Sequence, residues 1–109
     1  MNYAATIGFF DGVHTGHRFL ISRLLQTAQT EGLGAAVITF TNHPQQLLNG
    51  ISPQLLTDRA ERFELLKQTG IDTIIPFDFQ DIRSLSAAEF MTLLYRQYHV
   101  RILLMGYNH

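Results

Sequence analysis

The sequence predicts an α/β fold, a doubly wound parallel sheet with helices on both faces, and three observations predict it. Short apolar runs alternate with segments whose apolar residues fall at helical spacing. The second of those runs, Ala35 to Phe40, is apolar throughout and rich in β-branched residues, the pattern of a strand covered on both faces. The first run, Ala4 to Phe9, passes through a glycine-bearing turn straight into a helical pattern, the first half of a βαβ unit.

Each element follows in order. Ala4 to Phe9 is the first strand, and Phe10 to Gly12 its turn. From Gly16, Leu20, Leu24 and Ala28 fall on one line and Ile21, Leu25 and Ala28 on the next, so a helix runs to about Glu31 with Thr15 as its N-cap. Gly32 stops it, and Leu33-Gly34 turns into the second strand. Gln45 to Leu56 is a loop or short helix punctuated by Asn49-Gly50 and Ser52-Pro53. Its Leu47, Leu48 and Ile51 cover either a ligand ring or the core. Thr57 or Asp58 then caps a second helix with Ala60, Phe63 and Leu66 inward, its charged residues including Arg62 on a solvated face, and Gly70 as its end. Asp72 to Pro76 is the third strand, and Phe77 and Phe79 at its exit either stack on a ligand or pack. Ser86 and Glu89 form a capping box that opens a third helix, its buried stripe Ala87, Phe90, Met91, Leu94 and Tyr98. Val100 to Met105 is the fourth strand.

With 109 residues, 46% of them hydrophobic, the chain suffices for one compact domain. A formal charge of −1 without a Lys/Arg cluster argues against long nucleic acids and anionic membranes and for a small ligand. The sequence carries no cysteine, no secretory signal and no apolar run long enough to cross a bilayer, so a cytoplasmic home is the expectation.

The chemistry concentrates in Gly8-Phe9-Phe10-Asp11-Gly12-Val13-His14-Thr15-Gly16-His17. A helix start offers unpaired N–H groups and a partial positive charge, a site for phosphate. His14 and His17, three residues apart, present two donors to one object, and Gly16 clears the approach. Phosphoryl and nucleotidyl transfer rest mainly on positioning and electrostatic stabilisation, and these parts suit it. The competing readings are ordinary histidines or a zinc site; no cysteine and no third ligand at recognisable spacing supports the latter. Beyond the second strand, Thr41-Asn42-His43-Pro44 lies at the edge where open parallel sheets bind ligands.

The His14-x-Gly16-His17 stretch resembles the signature of the nucleotidylyltransferase superfamily. The longer Phe10 to His17 stretch, with Thr39-Phe40-x-x-His43-Pro44, is similar to the FMN adenylyltransferase module of bacterial FAD synthetases. The resemblance implies a Rossmann-like sheet of nucleotidylyltransferase type, incomplete at its C-terminal side, in which residues 1–109 are the N-terminal part of an FMN adenylyltransferase domain. A fifth strand, a second phosphate-binding motif and a riboflavin kinase domain are then expected outside this chain. It implies adenylyl transfer from ATP, with Mg2+, to FMN, giving FAD and pyrophosphate, with His14 and His17 catalytic. It also implies substrate contacts from Gly8, Phe9, Phe10, Asp11, Gly16, Asn42, His43, Pro44, Gly106 and Asn108; the last two match the opening of an active-site loop. Asp11 is placed near the ion or a ligand hydroxyl, and no residue is assigned as a metal ligand. The isolated 109 residues are expected to turn over little. Other nucleotidylyltransferases, cytidylyl- or phosphopantetheine adenylyl-, fit the short signature, but His43-Pro44 speaks against them. A non-catalytic nucleotide- or flavin-binding module is the alternative of another class.

Overall fold

The computed structural model describes residues 1–13, 15–41 and 58–106. The expected features at His14, at Asn42 to Thr57, and at Tyr107 to His109 lie outside the described residues. Four strands, β1 (Tyr3–Ile7), β2 (Gly34–Phe40), β3 (Thr73–Phe77) and β4 (Val100–Leu104), form one sheet in the order β3-β2-β1-β4. Every neighbouring pair is parallel. Around it lie a short 3-10 turn (Asp11–Val13), α1 (Thr15–Glu31), α2 (Arg59–Lys67), a four-residue α3 (Phe79–Ile82) and α4 (Ala87–Gln97).

Alternation along the strands sends neighbouring side chains to opposite faces, and two separate cores result. On one face Ala4, Ala35 and Val37 pack with Ile21, Leu24 and Ala28 of α1 and Leu66 of α2. On the other, Ala5, Ala36, Ile38, Ile75 and Phe77 pack with Leu94, Phe90 and Leu93 of α4 and Ile82 of α3. The sheet is therefore doubly wound, as the sequence predicts. Residues 34–39 of β2 are all buried, the signature of a strand with no solvent face.

Several boundaries differ, for identifiable reasons. β1 stops at Ile7, not Phe9. Gly8 still donates its N–H to the Ile38 carbonyl at 3.0 Å, but Phe10 then adopts φ 61° and Gly12 φ 71°, which swing the chain off the sheet. α1 begins at Thr15, so this residue is the first of the helix and not its cap. At its far end Gly32 takes φ 68°, and the bonds Leu33 N–H to Ala28 C=O and Gly32 N–H to Gln29 C=O close the helix as a Schellman motif.

β3 runs one residue further, to Phe77, with Pro76 inside it opposite Thr39. Proline cannot donate to a ladder, and β3 tolerates it because it is an edge strand. Phe77 is buried edge-to-face against Phe90 and Tyr98, at 5.6 and 5.3 Å, and Phe79 packs on Phe40 at 5.7 Å. Phe77 is therefore part of the core, while Phe79 is half-buried against Phe40. Asp58 caps α2, its carboxylate accepting the Glu61 N–H at 2.8 Å. The helix ends at Lys67 with Gln68 as its C-cap, before Gly70 is reached. Its inward residues are Arg62 and Leu66; Ala60 is exposed and Phe63 half-buried, so the predicted face is rotated. In α4, Ala87 and Met91 are exposed and Leu93 takes their place beside Phe90 and Leu94. β4 ends at Leu104 and leaves Met105 outside.

The Ser86–Glu89 capping box is formed in both directions: Glu89 N–H donates to Ser86 Oγ at 3.0 Å and Ser86 N–H to Glu89 Oε1 at 2.8 Å. The Ser86 backbone N–H first, then its hydroxyl, hold the Glu89 carboxyl below its ordinary value of 4.5. A depressed folded pKa contributes stability that is present above the unfolded value and lost as pH falls through the folded one. Glu89→Gln is therefore expected to lower stability at neutral pH, with the difference from wild type shrinking in acid below the ordinary carboxylate range. Urea melts at about pH 6 and about pH 3 check this; a difference unchanged by pH would refute it.

Candidate nucleotide site

The carboxyl ends of β1, β2 and β4 and the first turn of α1 meet at one edge. β1 leads through Gly8, Phe9 and Phe10 into the Asp11–Val13 turn and thence to α1. The backbone of this connection is tied to β2: besides the Gly8 bond, Thr39 Oγ1 donates to the Phe9 carbonyl at 3.1 Å. On the other side of β1, Thr6 Oγ1 donates to the Leu104 carbonyl at 2.8 Å, drawing in the end of β4. These two threonines are buried at the sheet centre, and each spends its hydroxyl on a neighbouring backbone.

Gly8 has a steric role. A Cβ there would meet the Phe10 ring at 3.0 Å, so glycine lets that ring fold back under the turn. The ring is 2% exposed. It meets His17 edge-on, centroids 5.0 Å apart at 72°, and so orients the imidazole. His17 is the third residue of α1 and half-buried, where the helix presents N–H groups and the positive end of its dipole. Gly16 beside it is exposed. Gly106 lies just past β4 against α1: a Cβ on it would stand 3.2 Å from Leu20 Cδ2, one helical turn beyond His17.

The structure thus brings Gly8, Phe9, Phe10, Asp11, Gly16, His17 and Gly106 to one edge. The remaining residues expected there, His14, Asn42, His43, Pro44 and Asn108, lie outside the described residues.

Sequence reasoning missed one residue at this edge. Arg62, placed on a solvated helix face, is 1% exposed. Its guanidinium lies 3.9 Å over the Phe9 ring and donates from Nη2 to the Phe40 carbonyl. Its Nε is buried with no hydrogen-bond partner among the described residues. Burial pushes its pKa down, the Asp11 carboxylate opposes that, and Arg59 adds to the lowering. The available signal was spacing: Arg62 stands four residues before Leu66, directly below it on the helix.

Among the described residues no group of three or more His, Cys, Asp or Glu side chains gathers to hold a metal ion. Asp11 stands near the Arg62 cation, a poor setting for a cation ligand. The residues described do not form a metal cage.

A parallel sheet with helices on both faces, its strand carboxyl ends meeting one helix N-terminus at a single edge, is a Rossmann-like α/β fold. Sequence comparison narrows this class. The FAD synthetase family model matches residues 1–109, and the chain belongs to that family. The bifunctional riboflavin kinase/FMN adenylyltransferase of Listeria monocytogenes is 32% identical over 112 aligned positions, covering 100% of this chain and 36% of that protein. The protein of the same description from Escherichia coli is 33% identical over 104 positions, covering 93% and 33%. The chain therefore spans about a third of the length of these relatives. Among solved structures, one described as the macrolide-efflux protein from Streptococcus pneumoniae superposes with a TM-score of 0.84 at 27% identity, covering 100% of this chain and 44% of its own. Among the described residues no helix is long and apolar enough to cross a membrane.

Proposed function

We propose that residues 1–109 are the N-terminal part of an FMN adenylyltransferase domain that transfers AMP from ATP to FMN. The observation that carries this is the FAD synthetase match over residues 1–109, a stretch that includes the His14-x-Gly16-His17 signature. A phosphate oxygen of FMN attacks the α-phosphorus of ATP, a P–O–P bond forms, the α–β bond breaks, and pyrophosphate leaves with its electron pair. The N–H groups at the start of α1 and the imidazoles of His14 and His17 bind the ATP phosphates and offset charge that builds as the bond breaks. Gly8, Phe9, Phe10, Asp11, Gly16 and Gly106 line the approach, with Asn42, His43, Pro44 and Asn108 completing the contacts to nucleotide and flavin. Magnesium enters as the ATP complex. The rest of the domain, a riboflavin kinase domain and a cytoplasmic location belong to the same reading.

The test is FAD formation from ATP, Mg2+ and FMN by the full-length protein that carries this chain, beside the same assay with CTP or with phosphopantetheine as acceptor. FAD formation with preference for ATP and FMN is expected. Turnover of CTP or of phosphopantetheine instead would move the assignment to another nucleotidylyltransferase. Nucleotide binding without turnover would leave a binding module and overturn the proposal.

A further inference from the structure

We propose that Arg62 is a positioning residue for nucleotide binding, holding the connection from β1 to α1 in its binding shape from the neighbouring helix α2. The ligand's identity rests on the adenylyltransferase reading; the geometry does not. Arg62 joins three elements. It belongs to α2, its guanidinium plane covers the Phe9 ring 3.9 Å away, and its Nη2 donates to the carbonyl of Phe40, the last residue of β2.

Burying a guanidinium is costly, as for any ion taken from water into a protein, and a well-packed apolar side chain of similar size would serve a core at least as well. The charge therefore asks for an explanation beyond packing, and its position supplies one. Phe9 lies between Gly8, whose missing Cβ admits the Phe10 ring, and Phe10 itself, held at φ 61°. The Thr39 bond fixes the Phe9 backbone, and Arg62 fixes its ring, so the left-handed bend has both anchors. The second role is electrostatic. Asp11 follows Phe9 by two residues and would repel an incoming phosphate; its carboxylate is near enough to favour the charge of Arg62, and the cation offsets it in return. At 1% exposure Arg62 does not itself touch substrate.

The substitutions that separate these roles are Arg62→Lys, which keeps the charge and loses the planar fork, and Arg62→Met, which keeps the length and loses the charge. In the full-length protein, ATP binding is measured by calorimetry well below each variant's melting temperature, and amide hydrogen exchange is followed at residues 8–13 and in α4. Arg62→Lys is expected to bind ATP about tenfold more weakly and Arg62→Met more weakly still, with faster exchange confined to residues 8–13. A folded Arg62→Lys protein with wild-type affinity overturns the proposal, as does faster exchange spread evenly through α4, the mark of a purely structural role. If Arg62→Met fails to fold, Arg62→Lys decides alone. Wild-type protein that binds ATP but forms no FAD overturns the adenylyltransferase reading and leaves this test intact, because neither readout needs turnover. Wild-type protein that binds no ATP overturns both.

Discussion

His17→Ala in the full-length protein is expected to lower kcat for FAD formation by about 100- to 1000-fold, the range for removing one donor aimed at developing charge. Stability should change little by comparison. The imidazole is half-buried, and its edge contact with Phe10, 5.0 Å between centroids, is of a kind worth about 0.5–1.5 kcal/mol. The loss should appear in kcat more than in KM for ATP, since the N–H groups at the helix start still hold the ground state while the interaction made in the transition state is gone. A melting curve beside the kinetics separates the two effects. A kcat within a few-fold of wild type would remove His17 from the chemistry and leave it as a packing partner of Phe10.

The second large effect is on stability. Phe10→Ala is expected to destabilise the fold by about 3–5 kcal/mol, as for other buried Phe to Ala changes. The ring is 2% exposed and belongs to the core shared with Ile21 and Leu24. A less usual result follows from φ 61° at this position. Left-handed backbone costs an L-residue about 1–2 kcal/mol, which alanine still bears and glycine does not. Phe10→Gly is therefore expected to be more stable than Phe10→Ala, the reverse of the order in helices and strands. Chemical denaturation of the pair decides it: equal stabilities, or alanine above glycine, would mean that the bend relaxes once the ring is gone.

How much of this was legible in the sequence depended on how local the cause was. Gly32 stops α1, Asp58 caps α2, and Ser86 with Glu89 opens α4, because each acts on backbone groups a few residues away. β2 was legible because a strand without solvent face leaves a continuous apolar run. The helix Phe79–Ile82 was not: four residues are too few for a periodicity, although Asp78 caps it by accepting the Gln80 N–H at 2.9 Å. The stretch from Gly8 to His17 could be read because strand, turn and helix start are contiguous. Arg62 could not be read in the same way. Its burial is decided by Phe9 and Phe40, neither of which lies near it in sequence, and a charged residue on a short helix ordinarily faces water. Phe77 shows the converse: an aromatic at a strand exit suggests a ligand until Phe90 of α4 and Tyr98 at its C-cap arrive to bury it.

The sheet order β3-β2-β1-β4 also sets a timetable for synthesis. β1 is made first of the four, β2 can pair with it once α1 has been made, and β3 can then pair with β2. The other flank of β1 stays open until β4 emerges, where Thr6 finally reaches the Leu104 carbonyl across a sequence separation of 98 residues. Closing so distant a contact is entropically the most demanding step in the sheet, so the pairing of the first strand with the last should be late and slow. The turn that follows β1 is thus made early, but the flank of β1 beside it is completed only by β4. A chain truncated before residue 100 should then hold β1, β2 and β3 together while leaving that flank of β1 open.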